Sequence, residues 1–386
     1  MPVQREGSVF IFGAGASKDC DTPLTNEILW HAFCDENVRK TLPRDSSRVG
    51  DIAEVRDCLI DHFHVVDPAR RNLEDARKED FPSLTLLLSI LDLSIERNRP
   101  FGGSKTHANG LSVEDLTKRR ASVEYIIFEV LDHFLAQSEH SAQRELLSSA
   151  LADGDDGPHV ISLNYDLIAD TAICGIAQER KGDEYRVDYA CDVLTDAYAR
   201  RTKTYGKLLK LHGSLNWLFC PGCQALQIGM STTGNNIARS SMTGELCGYG
   251  ALDKHYACGR SGCQACLCPY CQTPLRPVMI TPSFVKDYNN PHIQRVWYEA
   301  ERLLRSRKQA YIVGYSLPDD DLEVIHLLRR GLEGCESKDI TVVTYPDDPA
   351  MHRRYVSLFG RDIVWRPIGF TQWMKEHVQT SLPATA

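Results

Sequence analysis

The sequence carries no excess of positive charge: 44 Lys and Arg stand against 52 Asp and Glu, a formal net charge of −8. It has no basic run either. Sequence-independent affinity for a phosphate backbone comes from displacing counterions with many Lys and Arg side chains, so direct nucleic-acid binding is not expected. Long apolar stretches are also missing. The richest one, around Leu84 to Ile95, is interrupted by Ser, Thr and Asp and falls short of the roughly 20 residues that span a bilayer. The opening MPVQREGSVFIFGAG has no positive region followed by an apolar stretch and a small-residue cleavage site, so no secretory signal is expected and the expected location is cytoplasmic. No internal repeat and no long low-complexity stretch appears.

What is present is ordinary in amount and unusual in one place. At roughly 150 residues per domain, 386 residues allow two or three domains, or one α/β domain with insertions. The content of 42% apolar and 25% charged residues is typical of a globular protein. Cysteine is the exception, with 14 residues. Cys220, Cys223, Cys258, Cys263, Cys266, Cys268 and Cys271 crowd one segment, while Cys20, Cys34, Cys58, Cys174, Cys191 and Cys335 are scattered and Cys247 sits between. In a reducing compartment a cluster of this kind means metal sooner than disulfide.

Apolar runs suited to strands recur at Val9 to Phe12, Val160 to Leu163, Leu208 to Leu211, Val278 to Ile280, Tyr311 to Val313, Ile340 to Thr344 and Ile363 to Trp365. They do not alternate, which fits strands buried on both faces. Separated by helical patterns, they predict an α/β fold with an open, doubly wound parallel sheet. Ligands of such sheets lie at the carboxyl ends of the strands. Two segments break the rhythm. Residues 36–155 read as helical, with Val113, Leu116, Val123, Ile127, Leu131 and Phe134 at three-to-four spacing. Ser112 with Asp115 reads there as a capping pair, and NRPFGGSKTHANG as a loop. Residues 217–275 are rich in Cys, Gly and Ser and read as a small metal-organised module.

Five constellations carry chemistry, four of them at these strand ends. In VFIFGAGASK a strand runs into Gly13, Ala14, Gly15, Ala16 and Ser17. Such a turn suits close approach to a pyrophosphate, or serves as a turn with no ligand, and Lys18 replaces the third glycine of the dinucleotide fingerprint. In HVISLNYDLIAD, Asn164 and Asp166 end a strand, suited to a ligand or to capping the next helix. In LLKLHGSLNW, His212 ends a third strand, suited to a general base, since histidine is the side chain whose unperturbed pKa lies near neutral pH, or to a merely packed polar residue. Cys220, Cys223, Cys268 and Cys271 form two C-x-x-C pairs, the spacing of a closed four-cysteine zinc site, with an iron–sulfur cluster or free buried thiols as the alternatives; Cys258, Cys263 and Cys266 could form competing pairs or hold a second ion. Finally, Gly314 and Ser316 follow the strand in QAYIVGYSLPDDD, where Asp319 to Asp321 fit helix capping and are assigned no chemistry.

In order, GAGAS (13–17), LNYD (163–166), LHGS (211–214), CPGC (220–223), CPYC (268–271), RPVMI (276–280) and VGYSL (313–317) resemble the motif series of the sirtuin family. The resemblance implies a single sirtuin-like domain: a Rossmann-type core over about 1–35, 156–216 and 276–386, a helical insertion over about 36–155, and a small zinc-binding module over about 217–275. It implies NAD as substrate and a structural zinc ion. Gly13, Ala14, Gly15 and Ser17 would line the pyrophosphate and ribose, Asn164 would position the attacking group, and Asp166 would hold the carboxamide. His212 would be the general base, Gly314 and Ser316 would contact the dinucleotide, and Asp347 would lie by the adenosine ribose.

Two departures bear on the reaction. Protein-deacetylating sirtuins follow the glycine loop with Gly-Ile-Pro-Asp-Phe-Arg, where this chain has KDCDTPLTNEI, and later show Phe-Gly-Glu, where it has TPSFVKDYNN. The chain is thus more similar to bacterial sirtuin-like NAD hydrolases of antiphage defence, which implies NAD glycohydrolase activity giving nicotinamide and ADP-ribose. That similarity also implies a homo-oligomer or a gating partner such as a HerA-type ATPase. The alternatives are an NAD-dependent protein deacylase and a non-catalytic module that senses NAD or ADP-ribose.

Overall fold

The computed structural model describes residues 7–41, 46–67, 72–103, 110–135, 142–150, 157–193, 203–228, 268, 270–273 and 276–379. Its strands are β1 (Ser8–Phe12), β2 (His159–Ser162), β3 (Arg186–Asp188), β4 (Thr204–Lys210), β5 (Gly213–Phe219), β6 (Leu226–Ile228), β7 (Arg276–Met279), β8 (Gln309–Val313), β9 (Ile340–Val343) and β10 (Val364–Arg366). The helices are α1 (Ile28–Cys34), α2 (Glu36–Thr41), α3 (Ser46–Phe63), α4 (Leu84–Glu96), α5 (Val113–Leu135), α6 (Ala142–Ala150), α7 (Ile168–Lys181), α8 (Pro291–Arg305), α9 (Leu322–Gly331), α10 (Pro349–Phe359) and α11 (Phe370–Gln379). No helix among the described residues is long and apolar enough to cross a membrane.

Seven strands form one sheet in the order β10-β9-β8-β1-β2-β4-β3, and every pairing in it is parallel. The chain winds from β1 outward through β2 to β4, then returns to β1's other flank with β8 and continues to β9 and β10. This is the doubly wound α/β arrangement of the Rossmann type, with its crevice where the winding reverses. Val9, Ile11 and Phe12 are fully buried, as are Val160, Ile161, Leu208 and Leu209, so the non-alternating runs do reflect burial on both faces.

One expected strand belongs elsewhere. Residues 278–280 were expected in the parallel sheet, but β7 pairs antiparallel with β5 in a separate three-stranded sheet, β6-β5-β7. The division starts at β5, which β7 joins. Only Leu211 and His212 separate β4 from β5, far too few for the crossover that parallel pairing needs. Gly213 makes the turn at φ +79°, where an added Cβ would meet the Val278 carbonyl oxygen at 1.9 Å. Pro277, which has no N–H, sits on edge strand β7, where a proline is tolerated.

The helical segment starts as its caps dictate. Ser83 Oγ accepts from the Leu86 N–H at the head of α4. At α5 the Ser112 and Asp115 side chains each accept the other's backbone N–H, at 3.2 and 3.0 Å, a reciprocal box. Packing does not follow the sequence segments. Helix α1 packs in one core with α3, α4 and α5, together with Leu215, Leu218, Cys220 and Cys268 from the Cys-rich side. Leu146 and Leu147 of α6, by contrast, belong to the core beneath the parallel sheet. Residues 104–109 of the expected loop lie outside the described residues.

Candidate active site and metal centre

The carboxyl ends of β1, β2, β4 and β8 converge. After β1 the chain enters a short 3-10 turn, Ala14–Cys20. It presses on the turn after β8, where Gly314 sits at φ +65°. A Cβ on Gly13 would meet Gly314 O and Tyr315 Cα at 2.7 Å, one on Gly15 would meet Gly314 Cα at 2.8 Å, and one on Gly314 would meet Ala16 N at 2.2 Å. The three glycines are therefore required by the contact of the two turns. Two of the amides are engaged in that contact: Gly13 N–H donates to Val313 O at 2.9 Å and Gly15 N–H to Gly314 O at 2.8 Å. Ala14, Gly15 and Gly314 keep part of their surface open, and Ser316 is exposed.

Ser17, fully buried, is the hub beneath this turn. Its hydroxyl donates to Asp166 Oδ2 at 2.8 Å and accepts from Asn164 Nδ2 at 3.1 Å and from Gln143 Nε2 at 3.1 Å. Its one proton and both lone pairs are thus engaged within the protein, so it orients the site from below. Asn164 Nδ2 also donates to Gly13 O at 2.9 Å. A backbone carbonyl can only accept, so the amide nitrogen must face it, and Asn164 Oδ1 is left with no protein donor among the described residues. Asp166 does cap as well as bind: its Oδ1 accepts from Ile168 N–H at 3.0 Å. Burial pushes the Asp166 carboxyl above its ordinary value, although the Lys210 charge and the Ser17 and Ile168 hydrogen bonds work the other way.

His212 is 6% exposed. Its Nδ1 lies 3.1 Å from Leu163 O, and since that carbonyl can only accept, Nδ1 carries the proton. In the neutral ring Nε2 then holds a lone pair, and this buried atom has no hydrogen-bond partner. The strand beside it is braced. Ile280 N–H donates to His212 O at 2.8 Å, and Tyr165 OH donates to Ile280 O at 2.6 Å. Burial, helped by the Lys286 charge, holds the imidazole below its ordinary pKa against the opposing pull of Asp321, the Leu163 carbonyl and Asp320.

Three residues given no chemical role by the sequence complete this network. Asp321 Oδ1 stands 3.7 Å from His212 Nε2. Its side chain makes no capping bond to α9, contrary to the capping expected there. It pairs with Lys286 and accepts from Tyr315 OH at 3.1 Å. Burial works to raise the Asp321 carboxyl, but the charges of His212 and Lys286 and the hydrogen bonds from Lys286 and Tyr315 outweigh it and hold it below the ordinary value. Lys286 itself is 3% exposed and donates to Asp320 O at 2.7 Å. Gln143, from α6, is the third. Motif spacing could find none of them, because each reaches the site from a distant part of the chain. Asp347 is exposed, with Oδ1 accepting from Trp365 Nε1 at 3.0 Å.

The candidate metal centre is built from two copies of one turn. Cys220 N–H donates to Ala225 O and Cys268 N–H to Thr273 O, both at 2.9 Å, and each Cys-x-x-Cys is followed by a Gln at φ +60°. The four sulfurs lie within 4.8 Å of one another, with Cys220 Sγ to Cys271 Sγ at 3.3 Å and Cys223 Sγ to Cys268 Sγ at 3.6 Å. Zinc–sulfur bonds of about 2.3 Å in a tetrahedron put sulfurs roughly 3.8 Å apart, so the set fits one zinc ion. Cys220 and Cys268 face the core, and Cys223 and Cys271 face outward. Cys247, Cys258, Cys263 and Cys266 lie outside the described residues.

No protein-family model and no curated protein sequence matches the chain. Among solved structures it is similar to a Sir2–p53 peptide–NAD+ complex, at 12% identity over 97% of this chain and 93% of that one, with a TM-score of 0.41. It is similar to a Sir2 bound to acetylated peptide at the same identity, coverage and TM-score. It is also similar to a Sir2 homolog–NAD complex, at 12% identity over 97% and 88% of the two chains, with a TM-score of 0.40.

Proposed function

We propose that the chain binds NAD and hydrolyses its nicotinamide–ribose bond, releasing nicotinamide and ADP-ribose. The observation that carries this reading is the pair of open acceptors at one sheet edge, Asn164 Oδ1 and His212 Nε2, on rigidly braced residues. A site with two acceptors, one of them a neutral base, suits a water nucleophile. The C1′–N1 bond breaks with its electron pair leaving on nicotinamide. A water oxygen then bonds to C1′, Asn164 Oδ1 holds one of its protons, and the other passes to His212 Nε2. Asp321 stabilises the imidazolium so formed. General-base help of this kind contributes about 10²–10⁴-fold.

Asp166 holds the carboxamide, Gly13, Ala14, Gly15, Gly314 and Ser316 lie along the dinucleotide, and Asp347 offers a carboxylate to the distal ribose. Ser17 acts through Asn164 and Asp166 and does not touch the ligand. Zinc, held by Cys220, Cys223, Cys268 and Cys271, supplies folding free energy to the three-stranded sheet. Water as acceptor is supported by the replacement of two sirtuin loop motifs with KDCDTPLTNEI and TPSFVKDYNN. A role in antiphage defence, with a homo-oligomer or a HerA-type ATPase as gate, rests on the sequence resemblance alone.

The variants Asn164→Ala and His212→Ala test the assignment. Each is expected to lower the rate of NAD consumption at least about a hundredfold while leaving the thermal unfolding transition in place. Turnover at the parental rate in both would remove the assignment.

A further inference from the structure

A cavity of about 410 Å³ opens between α8 and α9. On the α8 side it is lined by Trp297, Tyr298 and Glu301, which share one helix face, and on the α9 side by Glu323 and His326. Tyr288, from the segment before α8, meets the Trp297 ring edge-on with centroids 5.1 Å apart. The Trp297 indole is fixed, since its Nε1 donates to Leu211 O at 2.9 Å. Tyr298 is 68% exposed and stands at the mouth.

The two carboxylates that line this cavity are Glu301 and Glu323. None of its lining residues is Lys or Arg. Glu301 is already matched by Arg305 at 2.7 Å and Arg330 at 2.9 Å, whereas Glu323 makes no ion pair among the described residues. The Tyr288 hydroxyl oxygen is buried and finds no hydrogen-bond partner. Aromatic faces present negative charge density, and an unmatched carboxylate adds to it, so an anion is disfavoured and a cation favoured. A rigid indole beside two phenols suits an ammonium carrying alkyl groups, whose charge is diffuse and whose hydration is weak.

We propose that this cavity is a binding site for an alkylammonium cation, seated against Trp297, Tyr288 and Tyr298 with Glu323 at its rim. The proposal is independent of the NAD reading, because none of these side chains belongs to the His212 site.

Calorimetric titration of the full chain with choline, and with its uncharged tert-butyl analogue 3,3-dimethyl-1-butanol, tests it directly. Choline is expected to bind saturably and the neutral analogue at least about threefold more weakly. Tyr298→Ala and Glu323→Gln, both at exposed positions, are each expected to weaken choline by about two- to fivefold. A short peptide carrying trimethyl-lysine separates the sources. Tighter binding of the peptide places the cation on a chain, equal binding makes it a free small molecule, and either result upholds the site. Equal affinity for the uncharged analogue, no binding of either cation at millimolar concentration, or indifference to both substitutions would overturn it. The comparison of charged and neutral ligands uses the unaltered chain and so does not depend on a variant folding.

Discussion

His212 can be read from two sides. Its position at the end of an apolar run was visible in LLKLHGSLNW, and so were Asn164 and Asp166 at the end of HVISLNYD, because buried strands announce themselves by composition. The groups that set its chemistry were not visible. Lys286 and Asp321 lie far along the chain, and Gln143 reaches Ser17 from a helix of the insertion; only tertiary packing brings them in. Their effect has a sign that can be measured. Burial keeps the imidazole neutral, so the base form persists into acid, and the acid limb of kcat/KM for NAD is expected below the ordinary histidine value of about 6.5. Asp321 opposes that shift. In Asp321→Asn the acid limb is therefore expected to move to still lower pH, with the maximal rate reduced because the imidazolium loses its counter-charge. A limb that moved to higher pH would mean that Asp321 does not face the catalytic ring.

At the scale of elements, the loop that carries Asn164 and Asp166 is pinned from below. Lys210 at the end of β4 and Asp170 on α7 are both fully buried and pair at 2.9 Å. Lys210 also donates to Asp166 O, and Tyr189 OH donates to Asp170 Oδ1. A buried pair of this kind is weak evidence for net stability, but losing one partner strands the other charge. Lys210→Met is expected to lower the unfolding free energy by about 3–5 kcal/mol in urea titration, and Lys210→Met with Asp170→Asn to recover part of it. A single variant as stable as the parent would remove this bracing role. The Cys-rich element was legible through its C-x-x-C spacing, but its supporting sheet was not, because the short apolar run at 278–280 looks like a parallel strand until its pairing with β5 is known. Protein purified without chelator is expected to hold about one zinc per chain, and Cys268→Ser to lose both the ion and the folded module, since a structural zinc supplies folding free energy. Metal content well below one equivalent in the parent would contradict the assignment.

For the whole molecule, the doubly wound sheet was written into the order of apolar runs, whereas the division of the helices between two cores was not. Helix α6 lies within the helical segment by sequence and beneath the parallel sheet by packing, and α1 does the opposite. Helical periodicity reports that a face is buried but not which neighbour buries it. The net charge of −8 takes on meaning at this scale. Two glycine-turn amides that would greet an anion are engaged with Val313 and Gly314, so the proposed dinucleotide would be met by the remaining open backbone and by the Asn164, Asp166 and Asp347 side chains. Those side chains are acceptors, or donors already engaged, which matches ribose hydroxyls and a carboxamide better than phosphate. The claim that unites these features is that water is the acceptor. Its most direct test is the product balance of the purified chain incubated with NAD, with and without acetylated peptide. Nicotinamide and ADP-ribose in equal amounts, unchanged by the peptide, is the expected result; acetylated ADP-ribose formed at the peptide's expense, or no nicotinamide release at all, would contradict the account.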